Sequence, residues 1–298
     1  MPKRITKKRL FYLLCALAAA LAAAATSTVP DTPENLLSIT FIDVGQGDST
    51  LIRTPEDITL LIDGGEYDAY QESLAPFLSK NGISDIDYAL VSHYHSDHLG
   101  GISKLLEKSA IDTLIIPEYD DKNNSRERLV KKAQQASVKI EEVSAGDTIN
   151  LGTESIKVSV LHPKAGGFSI ENENSNSIVL RLDCFDETFL LTGDLEADAE
   201  ASLIKEYDLE ADVLKVGHHG SSTSTSDAFL EAVDPTYAVI EAGKNNRYGH
   251  PHYEVLDRLE NDDVRVYRTD LDGDITFKVS ENGIESISTE RGVQSNGN

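Results

Sequence analysis

The densest concentration of ligating chemistry in the chain is Ser92-His93-Tyr94-His95-Ser96-Asp97-His98-Leu99-Gly100-Gly101, which sets three imidazoles and a carboxylate within six residues. Imidazole mixed with carboxylate suits zinc, manganese or iron, whereas calcium and magnesium call for oxygen donors alone. One histidine carries little information; four ligand-type residues at this spacing carry a great deal. An apolar run from Tyr88 to Ser92 precedes the cluster, so the following loop is delivered to the edge of a sheet. From there His93 and His95 can face one metal while Asp97 and His98 turn toward a second. The Gly100-Gly101 pair permits a tight turn into a helix expected over 101–108.

Other candidates stand just beyond other apolar runs. Asp194 follows the run 189–192 and Gly193; taken alone it also reads as a turn residue or as the cap of the next helix. His218 and His219 follow the run 211–216, and His250 follows the run 237–241 after a short loop. Between them lies a hydroxyl-rich loop, Ser221 to Ser226, able to bind phosphate oxygens, although Ser226 before Asp227 is equally an ordinary helix cap. Lys215, Lys244 and Arg247 flank the histidine loops and, with Ser221, are the expected substrate contacts. Asp43, Gln46, Asp48 and Asp63 are expected to stand behind the ligand histidines and orient them. His252 reads as exposed and His162, before a proline, as a turn residue.

The elements that must position these groups follow from the spacing of apolar residues. Strands are expected near 37–44, 49–54, 58–63, 88–92, 113–116, between the helix at 125–136 and Val160, and near 177–183, 188–191, 211–216, 237–241, 264–268 and 275–279. Helices are expected near 68–80, 101–108, 125–136, 196–207, 227–233 and 253–259. Hairpins followed by strand-helix alternation, twice over, predict an α/β fold: a four-layer α/β/β/α sandwich of two mixed sheets.

The 298 residues carry 27 Lys+Arg against 51 Asp+Glu, a formal charge of -24. That balance opposes broad, sequence-independent binding to a phosphate backbone, so any nucleic-acid contact has to be local. Two cysteines, Cys15 and Cys184, exclude a disulfide framework and any Cys-x-x-Cys pair. Residues 1–26 place Lys3, Arg4, Lys7, Lys8 and Arg9 before an uncharged stretch from Leu10 to Ala25, the layout of a signal peptide or a single N-terminal membrane anchor. The mature chain is therefore expected outside the cytoplasm, secreted or anchored. The tail over 291–298 is expected to be flexible.

The string 93–98 resembles the His-x-His-x-Asp-His signature of the metallo-β-lactamase superfamily. Further segments, 41–49 (FIDVGQGDS), 61–65 (LIDGG), 191–194 (LTGD), 216–221 (VGHHGS) and 246–251 (NRYGHP), occur in the order seen in one branch, the soluble metallo-hydrolase domain of ComEC-type DNA-uptake competence proteins. The resemblance covers roughly residues 37–285 and implies a metallo-β-lactamase fold over 37–290 holding two divalent ions, zinc or manganese. It also implies roles. Asp194 would bridge the ions, His93 and His95 would be joined by His218, and Asp97 and His98 by His250. His219 would face substrate and protonate a leaving alkoxide, or else brace the loop 221–227. Asp97, Asp194 and His219 are thus the expected catalytic residues.

Two departures from the family stand out. Many superfamily members supply another histidine about twenty residues before the bridging aspartate, where this chain reads Glu173-Asn174-Ser175-Asn176-Ser177; the ComEC-like branch also has Asn and Ser there, so the gap fits the resemblance. The first ion is left one donor short, a place that His218 or His219 can fill. The many membrane helices of full-length competence proteins have no counterpart here, so translocation is not expected of this chain. The activity expected is that of an exported phosphodiesterase acting on DNA through metal-bound hydroxide. Hydrolysis of a small ester, lactam or thioester is the alternative, as is a non-catalytic metal-binding partner of a DNA-uptake or envelope assembly.

Overall fold

Alternation along the strands decides which faces are dry. In the computed structural model, which describes residues 36–169 and 171–292, Leu37, Ile39 and Phe41 of β1 (Leu37–Phe41) enter one apolar layer. They meet Ile52 of β2 (Thr50–Arg53) and Leu60 and Ile62 of β3 (Thr59–Ile62). The same face continues through β4 (Ile86–Leu90) and β5 (Ile111–Pro117), with β6 (Lys139–Val143) at the edge. Opposite them lie β7 (Thr148–Ile149), β8 (Ile156–His162), β9 (Val179–Cys184), β10 (Glu187–Leu191), β11 (Val213–Lys215), β12 (Tyr237–Ile240) and β13 (Arg265–Arg268). Leu180, Leu182, Phe189, Leu191, Val213 and Val239 of this second sheet share the apolar layer with the first, so the layer is the contact between sheets. The chain then returns to the first sheet through β14 (Ile275–Ser280) and β15 (Gly283–Thr289).

The strand orders are β15-β14-β1-β2-β3-β4-β5-β6 and β13-β12-β11-β10-β9-β8-β7. Both sheets are mixed. β3 to β6 and β10 to β13 run parallel, and the remaining pairs are antiparallel. Parallel neighbours need crossovers, and the helices that supply them cover the outer faces. On the first sheet these are α1 (Ala75–Lys80, with a preceding π-type turn Tyr70–Leu74), α2 (Ser96–Glu107) and α3 (Ser125–Gln135). On the second they are α4 (Ala197–Glu206), α5 (Asp227–Val233) and α6 (Tyr253–Asn261). A short α7 (Thr269–Asp272) precedes β14. The result is the four-layer α/β/β/α sandwich.

One local expectation is corrected. The helix after the histidine cluster begins at Ser96, so Gly100 and Gly101 lie inside it instead of leading into it. Their need is close approach: a Cβ on Gly101 would stand 2.1 Å from the Gly64 carbonyl oxygen, and one on Gly100 2.4 Å from the Tyr67 amide nitrogen. The strand β15 and the helix α7 have no counterpart in the sequence reading. The leader over 1–26 lies outside the described residues, as do residues 293–298 of the tail. Among the described residues no helix is long and apolar enough to cross a membrane.

Candidate metal centre

Strand direction gathers the chemistry at one end of the sandwich. The segments leaving β1, β3, β4, β10, β11 and β12 all emerge there, as the carboxyl ends of co-directed strands do in open α/β sheets. The segment after β3 brings Asp63, whose carboxylate accepts from the Ser92 amide at 2.8 Å and from the Ser92 hydroxyl at 2.6 Å. That contact fixes the start of the histidine cluster. After β11 both His218 (φ 50°, ψ 48°) and His219 (φ 55°, ψ 22°) are left-handed, a backbone that costs of order 1–3 kcal/mol per residue and clusters at functional sites. The turn throws both imidazoles toward Asp194.

Asp194 is the hub. Its Oδ2 lies 3.2 Å from His98 Nε2, 3.5 Å from His219 Nε2, 3.9 Å from His93 Nε2 and 3.8 Å from His218 Nε2. His219 Nε2 is also 3.5 Å from Asp97 Oδ2, and His93 Nε2 stands 3.0 Å from His95 Nδ1. Donor atoms of His93, His98 and Asp194 lie within 4.8 Å of one another, as do those of Asp97, His98 and His219. His98 Nε2, His219 Nε2 and Asp194 Oδ1 are buried with no hydrogen-bond partner. Leaving such atoms unpaired is costly, and imidazole nitrogens and carboxylate oxygens aimed at a common point are the donors a divalent transition metal takes. The residues present therefore fit a metal.

The opposite nitrogens are held from behind. His98 Nδ1 is 2.8 Å from Asp63 Oδ2, and His219 Nδ1 is 3.0 Å from the Glu241 carbonyl and 3.1 Å from Asp48 Oδ1. His93 Nδ1 meets the hydroxyls of Ser92 at 3.1 Å and Ser177 at 3.3 Å. Such partners fix ring orientation and leave Nε2 free for a cation. Burial works against charge on His98, yet Asp194 and Asp63 more than offset it and raise its pKa well above the usual histidine range. His219 follows the same logic: burial lowers its pKa, Asp194 and Asp48 raise it, and the balance reaches about 10. Burial would likewise raise the Asp194 carboxyl, but His219 and His98 hold it well below the ordinary value. His93 goes the other way, pushed down by burial and then by the neighbouring His98.

The structure brings His93, His95, Asp97, His98 and Asp194 together. It puts His219, at 1% exposure, beside Asp97 and His98, the place expected for His250, while its ring also reaches the cleft lining. His250 is half-buried and further out, its ring 6.0 Å from His219 and 5.6 Å from His218, stacked 5.6 Å from Tyr248. Lys215 is corrected as a substrate contact. It stands two residues after Val213, so its side chain enters the layer between the sheets, where Nζ is 2.6 Å from Asp48 Oδ2. Ser221 is buried with its hydroxyl 3.0 Å from Thr223 Oγ1, and Lys244 is exposed outside the cleft lining. Among the expected orienting residues Asp48 and Asp63 sit behind histidines. Asp43 does not; it pairs with Arg291 at 2.5 Å. Gln46 lines the cleft, its Oε1 accepting from the Gly243 amide at 3.2 Å, and its Nε2 has no hydrogen-bond partner among the described residues.

Above the hub opens a cleft of about 320 Å³, lined by Gln46, Glu66, His95, Asp97, Asn174, Asp194, His218, His219, Arg247, Tyr248 and His250 among others. Arg247 lies over the Tyr248 ring, 4.8 Å from its centroid. Ser226 is a helix cap, accepting from the Phe229 amide at 3.3 Å. His162 is buried instead of lying in an open turn, with Nε2 2.8 Å from the Ser175 carbonyl. Sequence reasoning missed Glu196, Asn174, Tyr248 and Glu241. The one available signal was the acidic residue two places after Gly193-Asp194; the others carry no spacing that singles them out.

Residues 42–243 match the metallo-beta-lactamase superfamily. ComE operon protein 3 of Bacillus subtilis is 35% identical over 257 residues, 80% of this chain and 33% of that protein. Competence protein ComA of Neisseria gonorrhoeae is 32% identical over 256 residues, 85% of this chain and 34% of that protein. The chain thus spans about a third of the length of these relatives. Among solved structures, the metallo-beta-lactamase fold protein YhfI of Bacillus subtilis superposes with a TM-score of 0.50 at 16% identity, covering 78% of this chain and 96% of that one. With the sandwich, the histidine-aspartate hub at its strand ends and these matches in agreement, the chain belongs to the metallo-β-lactamase superfamily.

Proposed function

We propose that this member of a metal-dependent hydrolase superfamily is a dinuclear phosphodiesterase acting on DNA. The observation that carries the reading is the convergence of buried His98 Nε2 and His219 Nε2, neither with a hydrogen-bond partner, on Asp194 Oδ2, with His219 and Asp194 lining an open cleft. One ion would be held by His93, His95, Asp194 and His218, the other by Asp97, His98, Asp194 and His219. Such ions would supply a water activated near neutral pH and would neutralise charge on an attacked phosphate. Asp194 would be shared by both ligand sets. His250 lines the cleft wall half-buried; burial and then the neighbouring His219 and His218 lower its pKa to about 4, so its imidazole is neutral near pH 7 and serves as a substrate contact. Arg247 brings positive charge to a rim that also carries Glu66 and Asp97. The names of the relatives, which speak of competence, favour DNA as the phosphodiester. The charged and apolar leader supports export, checked by the location of a C-terminally tagged chain.

The test is cleavage of single- and double-stranded DNA by the purified chain with manganese or zinc, with metal content measured on the same sample. Cleavage is expected, and Asp194→Asn or His95→Ala should reduce it by orders of magnitude with the fold retained. If neither DNA form is cut beyond the His95→Ala background, the nuclease reading falls. Turnover confined to a lactam and thioester panel would move the activity to carbonyl substrates.

A further inference from the structure

The place left short by Glu173-Asn174-Ser175-Asn176-Ser177 is built up in space around one glutamate. Glu196 Oε2 accepts from Asn172 Nδ2 at 2.7 Å, and Oε1 accepts from Asn174 Nδ2 at 3.0 Å. The same Oε1 is 3.3 Å from His218 Nδ1, while His218 Nε2 faces Asp194 Oδ2 at 3.8 Å. Glu196 opens α4 with extended backbone (φ -106°, ψ 166°), but its side chain makes no capping bond to the helix. Its carboxylate is given instead to the two amides and the imidazole. Other neighbours of His218 Nδ1 are Thr223 Oγ1 at 3.2 Å and Asn174 Nδ2 at 3.5 Å, and neither is charged.

Three histidines around the hub then share one arrangement. His98 has Asp63 behind it, His219 has Asp48, and His218 has Glu196, each with Nε2 directed inward. His250 lacks it: its Nδ1 is buried without a hydrogen-bond partner. A carboxylate on the outer nitrogen fixes the tautomer and raises the basicity of the inner one. We infer that Glu196, held by Asn172 and Asn174, is a positioning residue that fixes His218 as the replacement for the family histidine missing from this chain. The segment without the histidine, together with Asn172 just before it, thereby supplies the amides that hold its substitute in place. This rests on the two-metal reading above.

The experiment measures manganese and cobalt binding to the full chain and to His218→Ala, Glu196→Ala, Glu196→Gln and the Glu196→Ala/His218→Ala pair. Wild type is expected to bind two ions. Glu196→Ala should weaken one of them by about 10- to 100-fold, the range seen when such outer partners are removed. Glu196→Gln, which keeps an oxygen for Nδ1–H, should fall between, and it carries the test if the alanine variant does not fold. In the double variant the loss should be no greater than in His218→Ala. NMR of the metal-free chain should show His218 protonated on Nδ1 in wild type and mixed between tautomers in Glu196→Ala, a change that a purely structural role would not produce. Two ions bound at wild-type affinity by Glu196→Ala, while His218→Ala loses one, would overturn the role of Glu196 alone. Fewer than two ions on wild type, or no loss in His218→Ala, would bring down the two-metal reading and the inference together.

Discussion

Exposure separates the histidines more sharply than their order in the chain does. His219 and His250 each follow a strand at the same end of the sandwich, yet one has its Nε2 in the donor cluster and the other lies along the cleft wall. His219→Ala is therefore expected to retain one ion per chain and to lose turnover by orders of magnitude. His250→Ala should keep both ions and raise KM with little change in kcat, the mark of a lost substrate contact. Metal analysis alongside steady-state kinetics checks the pair. An ion missing from His250→Ala would return that residue to the ligand set. Lys215 shows the same lesson for charge, since an ammonium expected at a rim spends itself on Asp48 beneath His219.

Among the elements, the contact between α2 and the segment after β3 fixes the site's geometry. His95 is the residue before the helix, and Asp97 and His98 occupy its first turn, so the helix can present them correctly only at one distance from Gly64 and Gly65. The Gly101 amide donates to the Gly65 carbonyl at 3.1 Å and the Gly64 amide to the His98 carbonyl at 2.8 Å, which ties the two backbones together. Gly101→Ala puts a Cβ against the Gly64 carbonyl and should cost about 3 kcal/mol, the upper end of ordinary overpacking. The midpoint of urea unfolding measures it. A midpoint within error of wild type would mean the helix can retreat freely. The parity of β11 and β12 works in the same way: Lys215 and Glu241 fall two residues beyond Val213 and Val239, so both enter the layer between sheets. Burial and then Asp48 raise the pKa of Glu241 to about 8.

Across the whole molecule, stability carries a pH signature from a histidine outside the site. Burial lowers the pKa of His162, whose Nε2 lies 2.8 Å from the Ser175 carbonyl. The unfolded chain, with a histidine pKa near ~6.5, then takes up the proton first as pH falls. The contribution of neutral His162 is fully present above that value and is lost as pH drops below it toward the folded pKa. His162→Gln, which can still donate to Ser175, should show a shallower fall in melting temperature between pH 7.5 and about 5 than wild type. Parallel melting curves would show that His162 contributes nothing to the acid limb. The acidic surface bears on function at this scale too: with a formal charge of -24, positive charge near the cleft is confined to a few groups such as Arg247.

The layers and the histidine-aspartate string were legible in the linear chain. Strand alternation and helix spacing are local properties, and they made the four-layer sandwich legible from short windows such as Leu37 to Phe41 and Phe189 to Leu191. Spacing within 93–98 likewise placed four candidate donors on one strand end. Which later histidine meets Asp97, the inward turn of Lys215, the pairing of Asp43 with Arg291 and the place of Glu196 behind His218 emerge from the folded chain alone. Those outcomes depend on a left-handed turn at His218-His219, on strand parity read to the last residue, and on side chains far apart in sequence. Pairing across such distances is fixed by packing, which a linear pattern does not encode.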